Sequence, residues 1–220
     1  MKAIIYIFFP LSLLISLLYD FQSASAQNFN GGIFCGLDAS EVSGDTYSGP
    51  NKLGFNIGAF TNFNLSSHAA LEMEIMYIQK GSKKNPSDTD PNKYRFHLEY
   101  VELPFLYKFS FQALENIKYI GKLKYEAGIS YSRLMRYKEE INDRLVLPGE
   151  MPDYYYNESN LILGFYYPIS EKLDFNFRSS NSITPIRPHK GGATVWYNWG
   201  QYHTVWCLNL NYRFGNKASN

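Results

Sequence analysis

From Asn30 to Phe214 the chain is written in short stretches where apolar and polar residues take turns, a period of two that predicts strands rather than helices. Eight such stretches can be marked. The first is Asn30–Asp38. The second, Leu53–Leu65, sets Phe55, Ile57, Ala59 and Phe63 against Asn56, Gly58, Asn62 and Asn64. The third, Ala69–Gln79, sets Leu71, Met73, Ile75 and Tyr77 against Glu72, Glu74 and Met76. The fourth, Tyr94–Phe109, ends with Val101, Leu103, Phe105, Tyr107 and Phe109 against Glu102, Pro104 and Lys108. The fifth, Lys118–Arg136, opposes Leu123, Tyr125, Ala127, Ile129 and Tyr131 to Lys124, Glu126, Gly128 and Ser130. The sixth is Asn157–Tyr167, with Leu161, Leu163 and Phe165 on one face. The seventh, Leu173–Ile186, alternates Leu173, Phe175 and Phe177 with Asp174, Asn176 and Arg178. The eighth, His203–Phe214, alternates Trp206, Leu208, Leu210, Tyr212 and Phe214 with Asn209, Asn211 and Arg213.

The breaks between stretches alternate in length. Tight links are expected near Ser66–His68, Gln112–Ile117 and Ile169–Lys172. Long polar segments are expected near Ala39–Lys52, Lys80–Lys93, Tyr137–Tyr156 and Arg187–Tyr202. Short turns at one end, long loops at the other and an even strand number are the pattern of an outer-membrane barrel.

The N-terminus reads as an address. Lys2 precedes an apolar run from Ile4 to Leu18, and Ala24-Ser25-Ala26 fits a signal-peptidase site that would leave Gln27 first. An uncleaved anchor helix is the alternative, but the run is short for a span of about 20 residues. The expected division is a signal peptide over 1–26, a barrel domain over 27–214 and a short polar tail over 215–220. The fold class expected is all-β: an eight-stranded antiparallel up-and-down transmembrane β-barrel with an N-terminal signal peptide, placed in the outer membrane.

Composition agrees. Aromatic residues make up 17% of the chain, with 19 Tyr and 16 Phe, a richness that suits strands and membrane interfaces. Mean hydropathy is only −0.31, as expected when polar residues alternate with apolar ones. A net charge of +1 gives no reason to expect a nucleic-acid partner.

Alternation does not say which face is inside. A water-soluble barrel of the lipocalin type would bury its aliphatics and expose its charges. The leader, the aromatic strand ends and the loop asymmetry favour the opposite arrangement, with aliphatics toward lipid. The candidate site is then an interior, structural charge network of Glu72, Glu74, Glu102, Lys108, Lys124, Glu126, Asp174, Arg178 and Arg213. Eight strands leave an interior that side chains just fill, so no open pore is expected. Pro104 cannot donate to a ladder and predicts a bulge or a locally unpaired position, with Glu102 on the same inward face.

No catalytic, cofactor-binding or metal site is expected. His68, His97, His189 and His203 have no metal-ligand spacing, and a lone histidine in a turn or loop is ordinarily solvated. No motif joins a serine such as Ser182 to a base such as His203. Asp88-x-Asp90 lacks the further ligands of a calcium loop. Met151-Pro152-Asp153-Tyr154-Tyr155-Tyr156 and Trp196-Tyr197-Asn198-Trp199 read as an interfacial aromatic girdle, with an exposed partner-binding patch as the alternative. Cys35 falls with the lipid-facing set and Cys207 with the interior set, so both are expected to be free thiols although their strands adjoin; if Asn30 opposes Phe214, Cys35 lies near residue 209.

Trp206-x-Leu208-x-Leu210-x-Tyr212-x-Phe214 resembles the C-terminal signal that hands outer-membrane barrels to their insertion machinery, although Gly215–Asn220 follow the final aromatic. Gly36-Leu37-Asp38-Ala39-Ser40, Gly44-Asp45 and Gly54-Phe55-Asn56-Ile57-Gly58 resemble the opening hairpin of the PorT-like outer-membrane barrel family of Bacteroidetes. Leu71 to Gly81 and Tyr100-Val101-Glu102-Leu103-Pro104-Phe105-Leu106-Tyr107-Lys108 are similar to its third and fourth strands. The likeness is strongest from Gly31 to Phe109. It implies an eight-stranded outer-membrane barrel and supplies no reaction. The partners expected are outer-membrane lipid, the insertion machinery and a protein bound at the long loops. A non-enzymatic role in envelope integrity, secretion support or partner binding is the reading; an outer-membrane enzyme acting on lipid or peptide, or a narrow solute pore, are its alternatives.

Overall fold

The computed structural model describes residues 29–44, 49–86, 91–111, 117–189 and 200–214. The expected leader, the C-terminal tail, Asp88-x-Asp90 and Trp196–Trp199 lie outside them.

Nine strands are formed: β1 (Phe29–Ser43), β2 (Lys52–Asn64), β3 (Ala69–Lys84), β4 (Tyr94–Phe109), β5 (Lys124–Ile141), the two-residue β6 (Arg144–Leu145), β7 (Asn157–Pro168), β8 (Leu173–Ser182) and β9 (Tyr202–Arg213). Every strand pairs antiparallel with its chain neighbour, except that β6 only caps β5 and β7 pairs past it with β5. The pairing of β1 with β9 closes the ring, giving an eight-stranded up-and-down barrel without free edges. Closure matters because lipid cannot satisfy an exposed N–H or C=O.

The expected faces are the observed ones through the lower part of the barrel. Ile33, Leu37, Phe55, Ile57, Leu71, Met73, Ile75, Phe105, Ile129, Leu161, Leu163, Leu208 and Leu210 stand outward and exposed, while Glu72, Glu74, Glu102, Glu126, Asn176, Arg178 and Asn209 are buried inside. Toward the long loops the polarity inverts. There Val42, Ile78, Tyr94, Phe96, Leu98, Tyr100, Ile186 and Val205 form a buried apolar cluster, and the outer surface carries Arg95, Arg136 and Lys138. The lower part turns apolar residues outward and packs polar groups within; the upper part turns charged residues outward and packs this apolar cluster within, around the buried charges Lys80, Glu139, Glu158 and Arg187. The level of inversion is the upper limit of the apolar outer band.

This inversion explains why several strands outrun their expected bounds. The third reaches Lys84, not Gln79, the first Ser43, not Asp38, and the fifth Ile141, not Arg136; above the lipid the alternation continues with the faces exchanged. The fifth also begins later, at Lys124, because a 3-10 turn over Ile120–Lys122 occupies part of a connection expected to be tight. The seventh expected stretch ends at Ser182, where Ile183 to Ile186 turn across the mouth instead.

A bulge sits high on β5. Glu99 pairs with Arg136 but Tyr100 with Leu134, leaving Met135 as the extra residue. Pro104 is no bulge: the β3–β4 register is continuous, but the pairing between Met73↔Phe105 and Met76↔Glu102 skips the residues beside it, as its missing N–H requires. Asn142 and Asp143, both at positive φ, make the tight turn from β5 into β6, the type of hairpin for which such residues are favoured.

Cys35 pairs with Leu210, one residue from the expected position, and Cys207 with Asp38. Both thiols are free, Cys35 exposed on the lipid face and Cys207 buried inside. In vesicles, a charged maleimide is therefore expected to label neither cysteine of the folded barrel and both after denaturation. Labelling of Cys35 without denaturant would show that its face meets water.

Candidate functional site

The lumen is bridged at three heights. In the lowest, Arg178 on β8 reaches across to β3, four strands away around the ring, and to β5. Its Nη1 and Nη2 donate to Glu74 at 2.8 and 2.7 Å, its Nε and Nη2 to Glu126 at 2.9 and 3.1 Å, and its Nη2 also to the Tyr166 hydroxyl at 3.1 Å. The fork geometry of a guanidinium lets one cation serve two carboxylates. The Tyr166 hydroxyl donates to Glu72 at 3.3 Å, and Lys108 pairs with the same Glu72 while its ammonium stands 3.7 Å from the Tyr166 ring centroid. Asn176 donates to Glu126 at 3.0 Å, and Asn209 to Asn176 at 2.9 Å.

The middle level turns on Lys80 of β3. Its ammonium lies 2.7 Å from Glu102 and 3.3 Å from Glu158, with all three side chains at most 1% exposed. The hydroxyls of Ser130 and Ser132 donate to Glu102 at 2.6 and 2.8 Å. His203 Nδ1 meets Glu158 at 3.1 Å, and its ring is edge-on to Tyr100. His203, at the start of the expected eighth strand, is buried in the lumen rather than solvated. Ser182 Oγ accepts the main-chain N–H of His203 and does not meet the imidazole.

At the mouth, Arg187 from the β8–β9 connection folds inward. Nη1 and Nη2 donate to Glu139 at 2.8 and 3.2 Å, Nη2 to the Tyr94 hydroxyl at 2.7 Å and Nε to Gln201 at 2.6 Å. Its guanidinium carbon is 4.6 Å from the Tyr154 ring centroid and 5.3 Å from that of Phe96. Tyr154 donates to Glu139 at 3.1 Å and is buried, so this member of the aromatic cluster belongs to the interior and not to a girdle, whereas Tyr155 and Tyr156 are exposed. Main-chain bonds from Tyr155 to Ile186 and from Ile186 to Gln201 tie the two connections across the opening. Burial works against the Arg187 charge, but the neighbouring phenols and Glu139 reverse this and hold its pKa above the ordinary value; burial pushes the Tyr154 phenol up.

Of the nine candidate residues, Glu72, Glu74, Lys108, Glu126 and Arg178 meet in one cluster. Glu102 lies in the level above. Asp174 pairs with Arg213 at 2.8 Å near the short-turn end, and Lys124 stands half-buried at the start of β5. Lys80, Glu139, Glu158, Arg187 and His203 were not foreseen. The inward parity of Glu72 and Glu74 continues through Met76 and Ile78 to Lys80, a signal that only the early end assigned to the third strand concealed. Among the described residues, no three His, Cys, Asp or Glu side chains are grouped as a metal ion requires.

Compared with known families, residues 22–187 match the outer membrane protein beta-barrel domain. The chain belongs to that family. This outer membrane β-barrel also aligns with the crystal structure of Neisserial surface protein A, at 14% identity and a TM-score of 0.51, over 84% of this chain and 97% of the other. It aligns with Ail of Yersinia pestis at 13% identity and a TM-score of 0.45, covering 84% and 98%, and with OprG of Pseudomonas aeruginosa at 12% and 0.39, covering 84% and 94%. At these identities the likeness concerns the fold. No curated protein matches the outer membrane β-barrel in sequence.

Proposed function

We propose that the barrel is a non-enzymatic, non-conducting outer-membrane protein whose lumen network is structural and whose long connections meet a partner on the outer side. The observation that carries this reading is the crossing of the lumen by Arg178, Lys80 and Arg187, each buried and bonded to carboxylates on other strands. A channel needs a continuous wet path, and these bridges interrupt it at three heights. A hydrolase needs a nucleophile that substrate can reach; Ser130 and Ser132 are buried and committed to Glu102. In this reading the chain is exported by a leader cleaved before Gln27 and delivered for insertion through Trp206–Phe214. The motifs around Gly36 and Glu102 support membership of the PorT-like family, with envelope integrity, secretion support or partner binding as the roles proposed.

In planar bilayers the refolded barrel is expected to give no discrete conductance steps. A Lys80→Ala, Arg178→Ala, Arg187→Ala triple variant removes all three bridges and, where it folds, is expected to leak. Stable unitary steps from the unmodified protein sink the proposal in favour of a pore, and turnover of lipid or peptide substrates sinks it in favour of an enzyme.

A further inference from the structure

Above the lipid-facing band, outward charge is concentrated on one side. On β7, β8 and β9 the outward positions beyond the band are uncharged, among them Ser159, Ser179, Asn181 and Thr204. On β3, β4 and β5 they form a grid. Lys83 pairs with Arg95 and Arg95 with Glu140, His97 pairs with Lys138, and Glu99 with Arg136. Arg133 stands at the lower border, its guanidinium carbon 5.1 Å from the Tyr156 ring centroid. Five cations therefore share this face with two carboxylates. Glu140 is held by Lys138 at 2.6 Å, and Glu99 lies between His97 at 3.4 Å and Arg136 at 4.0 Å. The Arg136 side chain remains 78% exposed.

The grid begins where the apolar surface stops. Immediately below it on the same strands are Tyr77, Val101 and Tyr131, which continue into Ile75, Leu103 and Ile129. The lowest rows of the grid, Arg133 beside Val101 and Arg136 one row further out, lie at the height of headgroup phosphates, just above the aromatic rim that borders a membrane; Lys138, Arg95 and Lys83 continue outward from them. Paired strands hold the cations about 5 Å apart, and the guanidinium fork suits phosphate oxygens.

We infer that the outward face of β3–β5, anchored on Arg133, Arg136 and Lys138 with Arg95 and Lys83 adding positive charge above them, binds the phosphates of anionic lipids in the outer leaflet. A lipid held against the apolar band brings its phosphate to the lowest rows of this face. The site fixes lipid to one side of the barrel and leaves the β7–β9 side indifferent to headgroup charge.

The test uses the refolded barrel in phosphatidylcholine vesicles doped with spin-labelled phosphatidic acid or spin-labelled phosphatidylcholine. The immobilised fraction in the electron spin resonance spectrum gives the relative affinity. The barrel is expected to prefer phosphatidic acid by about fivefold or more, the effect of roughly one engaged cation at a membrane surface. The Arg95→Gln, Arg136→Gln, Lys138→Gln variant is expected to fall toward parity, while a Lys122→Gln, Lys172→Gln control at the short-turn end keeps the preference. Heat-shifted migration on a gel shows that each variant is folded. Should the triple variant misfold, molar salt added to the unmodified barrel must abolish the preference, because surface charge is screened. Parity in the unmodified protein, or a preference that survives both the triple variant and high salt, overturns the inference. So does a triple variant that loses soluble polyphosphate binding with its lipid preference unmoved, which assigns the face to a soluble polyanion.

Discussion

Replacing Arg178 with methionine is expected to destabilise the folded barrel by about 3–5 kcal/mol, because it strands the buried carboxylates of Glu74 and Glu126 without their cation. The measurement is the urea midpoint in lipid vesicles, followed by tryptophan fluorescence. Desolvating two carboxylates and a guanidinium is costly, so the intact cluster need not be worth much against an apolar filling; removing one member is what hurts. Adding Glu74→Gln and Glu126→Gln to Arg178→Met is therefore expected to restore part of the loss. An unchanged midpoint in the single variant would show that the cluster is wet, with water replacing the guanidinium.

The second large effect concerns the outer surface. Leu163 stands near the middle of β7, 55% exposed, in a row with Leu161 and Phe165. Leu163→Arg is expected to cost about 2–4 kcal/mol, the penalty for a cation at the bilayer midplane, whereas Asn181→Arg, at the top of β8, should cost about 0–1 kcal/mol. The same titration reads both. If the two substitutions cost the same small amount, the Leu163 face meets water and the membrane reading fails. In a soluble barrel with this surface, an arginine at an exposed leucine is harmless.

The fold was legible where one physical rule governed a whole strand. From Leu71 to Ile75 and from Leu208 to Phe214 the outward face is apolar and the inward face polar without interruption, so both face and register followed from parity. Legibility failed where the solvent changed. Beyond Leu37 and Tyr131 the outside is water and apolar residues such as Val42 turn inward, so they look like loop; on β3 the parity holds past Tyr77 to the inward Lys80, which only the early strand end concealed. On β5 a second cause acts. The extra residue Met135 shifts parity by one, so that Arg136 and Lys138 face outward and Glu139 faces inward to meet Arg187. Period-two counting through Met135 assigns each of these to the wrong face. The lower charge cluster could be named from sequence because its members lie on unbroken strands. Its wiring could not, since the contact of Arg178 with Glu74 depends on ring closure and spans 104 positions.

The reversal of polarity along the barrel also bears on how the protein leaves the membrane. The charged upper rim acts like the flange of a bolt. Drawing the cylinder back toward the periplasm would drag Arg95, Arg136 and Lys138 into hydrocarbon, each at a penalty of about 2–4 kcal/mol near the centre. Pushing it outward would pull Leu71, Phe105 and Leu210 into water. Depth is thus fixed from both sides, and a seated copy has no inexpensive route of retreat; its turnover must proceed by destruction in place or by shedding together with the surrounding bilayer.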